Sequence, residues 1–228
     1  MTNPTEENIK AFNNEIKDFF HTIDDQKKLL SEDLKAIKFP LPVGKIVDFG
    51  CGSGYTTYCL TSILDAPEAI GIDIDPNAIY RAALWFKAVK WHVEHSTEEK
   101  LSDSVIIQQS NLKLGIIKPP EFIVGDVVSG KNLPSGVSLA YCRRLLVNIV
   151  HDNYDDGSSG TDRAKLAIKN MVGTIIPGGW FIAVEEASGG NFCRLLEEEN
   201  LYCVNIIRFH LDGVVPYYRY VYGKPLIF

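Results

Sequence analysis

Between residues 48 and 55 an acid and three glycines stand at fixed spacing: Asp48, Gly50, Gly52, Gly54, then Tyr55. They directly follow the apolar pair Ile46-Val47. Gly50 and Gly52 let a chain turn tightly and approach a ligand without a Cβ in between. A dinucleotide fingerprint needs a glycine three residues after its second, to pack helix on strand. Tyr55 stands at that position here. The carboxylate of Asp48 would also repel a pyrophosphate. The spacing and the charge therefore favour a cationic ligand without phosphate over a dinucleotide.

Such a turn works only at the end of a strand. "KIVDF" (45–49), "AIGIDI" (69–74), "EFIVGD" (121–126), "GVSLAYC" (136–142) and "GGWFIAVEE" (178–186) read as short buried strands. Helices fit between them at 55–65, 75–91, 144–150, 162–176 and 191–200, with Asp75 as N-cap and Pro76 at the first helical position. Two late strands, 203–211 and 217–223, follow. Alternation of this kind predicts an α/β, doubly wound Rossmann-like fold. The sheet is expected to be mostly parallel with an antiparallel last strand, and to carry helices on both faces. Ligands of such sheets bind at the carboxyl ends of the strands, where strand order reverses.

Before the first strand, Ile9, Phe12, Ile16, Phe19, Phe20 and Ile23 recur at helical spacing, and Leu29, Leu30, Leu34 and Ile37 continue the face. "FPLPVG" (39–44) stops any helix. The chain is thus expected to divide into an N-terminal helical extension or lid, 1–40, and a ligand-binding domain, 41–228. Residues 92–118 do not fit the alternation tidily and are expected to hold one more short strand or helix, and "DDGSSGTD" (155–162) reads as a mobile surface loop.

Composition narrows the partners. Of 228 residues, 46% are hydrophobic, enough for a sizeable core, and the formal net charge is −6. No basic cluster exceeds a pair such as Arg143-Arg144, so a nucleic-acid partner is not expected. The polar start "MTNPTEENIK" does not read as a signal peptide, and no apolar run approaches a membrane span. Five cysteines without CxxC spacing suit a reduced, cytoplasmic protein. His92 and His95, with Glu94, Glu98 and Glu99 nearby, only loosely resemble a metal pair, and no metal is expected.

Several motifs together resemble class I S-adenosylmethionine-dependent methyltransferases of the small-molecule type. "VDFGCGSGY" resembles the first motif of that family, "GIDIDP" (71–76) the end of its second strand, and "FIVGDVV" (122–128) its adenine-reading turn. "LAYCRRLLVNI" (139–149) is similar to its fourth-strand motif and "IIPGGWFIAVEE" (175–186) to the turn and fifth strand. The resemblance covers about residues 43–223. It implies S-adenosylmethionine as cofactor and S-adenosylhomocysteine as product. Asp73 would take the ribose hydroxyls, Asp126 the adenine amino group, and the Val127 amide an adenine ring nitrogen. Asp48 would meet the cofactor amine, directly or through water. Gly50, Cys51, Gly52, Tyr55 and Ile74 would complete the cofactor set, with the backbone of Cys142 facing the donor.

The resemblance leaves the acceptor open. Asn148 stands where the family often has a histidine, so no general base is evident. Weak catalytic candidates are His151, which also reads as a solvated helix-end residue, Arg143, which also reads as half of an ion pair, and Glu185. Where methyltransferases of planar nitrogens carry N/D-P-P-Y/F, this chain has "YCRR". The expected reaction is methylation of an oxygen or nitrogen on a small metabolite. Methylation of a protein side chain and a non-catalytic S-adenosylmethionine-binding module are the alternatives.

Overall fold

The computed structural model describes residues 27–35, 44–84, 119–152, 158–187, 192–211 and 215–226. Residues 1–26 and the 92–118 segment, with His92 and His95, lie outside them. Seven strands form one sheet: β1 (Lys45–Phe49), β2 (Glu68–Asp73), β3 (Glu121–Val124), β4 (Val137–Arg143), β5 (Ile175–Glu186), β6 (Tyr202–Leu211) and β7 (Val215–Gly223). Their order is β3-β2-β1-β4-β5-β7-β6. Neighbours from β3 to β5 pair in parallel. β7 runs antiparallel to both β5 and β6. The order reverses between β1 and β4, so the crevice expected from the sequence opens at the carboxyl end of β1.

The helical elements are α1 (residues 27–35), α2 (Tyr55–Leu64), α3 (residues 76–84), α4 (Leu145–His151), α5 (Gly160–Thr174) and α6 (Cys193–Glu198). Strand side chains alternate between two cores. Ile46, Leu139, Tyr141 and Ile182 join α1 and α2 on one face; Val47, Phe49, Ala140, Cys142 and Phe181 join α4, α5 and α6 on the other. Both faces are therefore covered, which explains the near-continuous apolar strands. At 25 cal/mol per Å², burying a Leu or Phe fully contributes about 1.5–3 kcal/mol, and Phe49, Leu60 and Phe181 are all sealed from solvent.

Two departures from the sequence reading have a clear physical reason. β5 begins at Ile175, before the Pro177-Gly178-Gly179 stretch that reads as a turn. The strand absorbs it as an irregularity: the β4–β5 register shifts between Val137 and Leu139, and Gly178 takes a φ of 78°. The described part of the expected 155–162 loop is a helix start instead. Ser159 is the N-cap of α5, and its hydroxyl accepts from the Asp162 amide at 3.1 Å.

The N-terminal extension is anchored where it is described. Leu30 and Leu34 of α1 are buried, and Asp33 between them faces the same way. Its carboxylate accepts from Arg219 Nε on β7 and, at 2.9 Å, from the Tyr141 hydroxyl on β4. The Arg219 guanidinium also lies over the Phe209 ring, 4.9 Å from its centre.

Candidate active site

The turn after β1 is tied to β2. The amides of Gly50 and Cys51 both donate to the Ile72 carbonyl, at 2.8 and 2.9 Å. The Gly52 amide donates to Asp73 Oδ2 at 2.8 Å, and the Asp75 amide to Asp73 Oδ1 at 2.9 Å. Asp73 thus holds the turn while each carboxylate oxygen retains a lone pair for another donor. Asp75 caps α3, accepting from the Asn77 amide at 2.8 Å, as expected.

The three glycines serve two purposes. All have left-handed φ, 72°, 52° and 82°. A Cβ on Gly50 would come 2.9 Å from Leu145 Cδ1; one on Gly54 would come 2.7 Å from the Phe122 ring and 2.9 Å from Ala82 Cβ. Those two glycines serve packing. A Cβ on Gly52 would meet nothing within 4 Å. Gly52 alone faces open space, which is the cradle a ligand needs.

A cleft of about 540 Å³, its open mouth included, lies beside this turn. Gly50, Ile72, Asp73 and Ile74 form one side. Gly125, Asp126, Val127 and Val128, after β3, form the second. Leu145, Ile149 and Asp152 of α4 and its C-cap, with Arg163 of α5, form the third. Ile74 is 66% exposed, an apolar surface standing open beside Asp73. Asp126 Oδ1 accepts from the Val128 amide at 2.8 Å, and Asn170 of α5 donates to the carbonyls of Val127 and Val128, both at 2.9 Å. The loop is thereby held on both sides. Three carboxylates against one guanidinium make the cleft acidic, a poor environment for a pyrophosphate.

Of the residues expected at the cofactor, the structure gathers Gly50, Asp73, Ile74, Asp126 and Val127 around the cleft and sets Gly52 at its turn. Asp48, Cys51, Tyr55 and Cys142 lie outside the cleft lining. Asp48 is 2% exposed and points to the α2 face, where its Oδ2 accepts from the Thr57 hydroxyl at 2.7 Å. Burial pushes its carboxyl up to about 7, the Thr57 bond opposes this, and the Asp73 charge adds to it. Cys51 is buried, and burial with the charges of Asp48 and Asp73 pushes its thiol up, so it is no ready nucleophile. Tyr55 opens α2 and packs on the α2-side core. The Cys142 side chain is sealed against Glu185, with Sγ 3.8 Å from Oε1.

The catalytic candidates separate. Glu185, expected to reach the pocket, points inward. It is fully buried, and its oxygens accept from the amides of Leu146 and Val147 at 3.1 and 3.0 Å. Burial pushes its carboxyl up to about 7, and these amides pull it back. The reason is local: α4 has Arg144 as N-cap, with no side-chain cap of its own, so the neighbouring strand supplies one. His151 is exposed in the last turn of α4 and does not line the cleft. Arg143 is half-buried at the end of β4. It faces the Asp33 and Asp48 carboxylates, whose protonation its charge opposes. Asp152, Arg163 and the Asp33–Arg219 pair were not singled out from sequence; no motif marks them. Among the described residues no three His, Cys, Asp or Glu side chains converge as a metal site, and no helix is long and apolar enough to cross a membrane.

Solved structures share this architecture. A TehB-like S-adenosylmethionine-dependent methyltransferase from Corynebacterium glutamicum is 17% identical; the match covers 87% of this chain and 86% of that one, with a TM-score of 0.53. The N-methyltransferase NodS from Bradyrhizobium japonicum, solved with S-adenosylhomocysteine, is 15% identical over 89% of this chain and 86% of its own, with a TM-score of 0.55. The chain has the class I methyltransferase fold. The [4+2]-cyclase SpnF, 13% identical over 88% of this chain and 81% of its own, has it too, with a TM-score of 0.56. No protein-family model matches the chain, and no curated protein does. At these identities the class I methyltransferase likeness describes the sheet and its helices; the chemistry must be argued from the site.

Proposed function

We propose that the cleft binds S-adenosylmethionine and that the protein transfers its methyl group to an oxygen or nitrogen of a small molecule. One observation carries the reading. Asp73, at the end of β2, and Asp126, after β3, stand on adjoining walls of one cleft beside the open Gly52 turn. Asp73 is placed to accept from the two ribose hydroxyls. Hydrogen bonds to a charged group contribute about 1.5–3 kcal/mol each. Asp126 accepts from the adenine amino group, and Ile74 offers the base an apolar face. The acidity of the cleft suits a ligand bearing an ammonium and a sulfonium and no phosphate, and it disfavours a nicotinamide dinucleotide.

When bound, the cofactor supplies an activated methyl group on a sulfonium. The protein's task is then orientation of an acceptor in line with the breaking bond, about 3 Å from the methyl carbon. Asp48 acts beneath the turn, through Thr57, rather than on the cleft wall. The acceptor lies toward the ends of β4 and β5, where Arg143 is the positioning candidate. Of the expected lid, residues 1–40, α1 is the described part, and Asp33 seats it. The net charge of −6 and the "YCRR" sequence support a small acceptor over a nucleic acid. No base is assigned: His151 is away from the cleft and Glu185 is committed to α4. A neutral amine or a carboxylate needs none.

The test is transfer of isotopically labelled methyl from S-adenosylmethionine into a fractionated metabolite extract. Label in a low-molecular-weight product supports the reading. Cofactor binding with no labelled metabolite, or label only in protein, contradicts the small-molecule part of it.

A further inference from the structure

Three consecutive residues at the end of β5 grip the turn that leads from β4 into α4. The Val184 carbonyl accepts from the Arg144 amide at 2.9 Å. The Glu185 carboxylate accepts from the amides of Leu146 and Val147, and that of Leu145 faces it too. The Glu186 carboxylate pairs with Arg144 Nε at 2.7 Å and accepts from the Tyr217 hydroxyl at 3.1 Å. Arg144 itself is left-handed, with a φ of 54°. A non-glycine residue persists there only where its surroundings impose it, and these three contacts do so.

What the turn delivers is a wall of the cleft. Leu145, the first residue of α4, packs so close that a Cβ on Gly50 would come 2.9 Å from its Cδ1, and Leu145 and Ile149 both line the cleft. The seat of α4 therefore decides how the apolar wall meets the glycine turn. Glu185 is completely buried, and of the three it is the one that holds α4 by the helix's own amides.

We infer that Glu185 is a positioning residue for the cleft: by capping α4 from the neighbouring strand it presses Leu145 against Gly50 and sets the wall on which the ligand rests. This rests on the cofactor reading above. It assigns Glu185 no contact with cofactor or acceptor. The carboxylate acts through Leu145, so its loss and the loss of Leu145 must be coupled.

The experiment is a double-mutant cycle in S-adenosylhomocysteine affinity, run at about pH 8 so that a carboxyl titrating near 7 is ionised. Glu185→Gln keeps the volume but turns an amide N–H toward donors. It should weaken binding on the order of tenfold. Leu145→Ala should weaken it as well, and the double variant should bind no worse than the weaker single. Glu185→Asp, which keeps the charge, should recover part of the loss; it replaces Glu185→Gln if that variant does not fold. Unchanged affinity in a folded Glu185→Gln protein, or strictly additive effects, overturns the inference. If the wild type binds no S-adenosylhomocysteine, the cofactor reading fails, and amide hydrogen exchange decides the seating separately. Faster exchange in Glu185→Gln, confined to Leu145, Leu146 and Val147, upholds it; exchange unchanged from wild type at those amides overturns it.

Discussion

The backbone amide of Gly52 donates to the side chain of Asp73 at 2.8 Å, from the turn after β1 to the end of β2. One carboxylate therefore shapes the glycine turn and faces the cleft. Asp73→Asn separates the two roles. The amide oxygen still accepts from Gly52, while its NH2 replaces the oxygen that accepts from the Asp75 amide, so the thermal midpoint should fall by several degrees with the protein still folded. Neutral hydrogen bonds are roughly half as strong as charge-assisted ones, so affinity for S-adenosylhomocysteine should fall on the order of ten- to a hundredfold. Calorimetry beside a melting curve reads both.

Gly52→Ala and Gly54→Ala should fail in opposite ways. Both impose left-handed strain of about 1–2 kcal/mol. Only at Gly54 does the added methyl strike neighbours, at 2.7 Å from Phe122 and 2.9 Å from Ala82, and overpacking adds about 1–3 kcal/mol. Gly54→Ala should therefore lower stability in urea unfolding by more than Gly52→Ala. Gly52→Ala should remain well folded and lose ligand affinity. Equal destabilisation by the two would show that the spaces at the glycines have been misassigned.

Much of this could be read from the chain before the fold was known. Short apolar strands alternating with helices imply a doubly covered parallel sheet, and "VDFGCGSGY", "GIDIDP" and "FIVGDVV" each end a strand on the crevice side. What escaped lies in contacts that have no local signature. Asp33 and Arg219 are 186 positions apart and look like ordinary surface charges. Asp152 and Arg163 meet the cleft because α4 and α5 pack together; nothing in their spacing shows it. Glu185 beside Glu186 reads as a strand end with one acid facing the pocket. It turns inward because α4 lacks a cap of its own. The Pro177-Gly178-Gly179 stretch reads as a turn because register shifts inside a strand are set by the partner strand.

Asp48 should leave a mark on the pH dependence of stability. Its carboxyl titrates at about 7 when folded, against 3.8 ordinarily. The folded state therefore holds the proton more tightly than the unfolded state. The Asp48 contribution to stability is fully present below about 4 and is lost as pH rises through the window to about 7, then levels. Asp48→Asn removes the charged form and should make that fall shallower, Glu185 keeping its own share, so that the variant becomes relatively more stable than wild type by a few kcal/mol near pH 8. Chemical unfolding from pH 5 to 8 would show it. A wild-type profile parallel to the variant's across the window would exclude the assignment.

Removing one partner of the Asp33–Arg219 pair should be costly. Both side chains are almost completely buried, and a buried charge left alone costs about 3–5 kcal/mol. Asp33→Ala should lower the melting temperature on the order of ten degrees. Replacing both partners, as Asp33→Leu with Arg219→Met, should recover much of the loss, because the uncompensated charge disappears with its partner. Thermal melts of the two singles and the double measure this. If Asp33→Ala melts like wild type, α1 is not seated as described.

The most direct measurement is calorimetric titration of the purified protein with S-adenosylmethionine, S-adenosylhomocysteine and NADH, with Asp73→Ala alongside. The account predicts that both sulfur ligands bind, that NADH does not, and that Asp73→Ala loses the binding while remaining folded. Binding of NADH alone, or sulfur-ligand affinity untouched by the loss of Asp73, would contradict it.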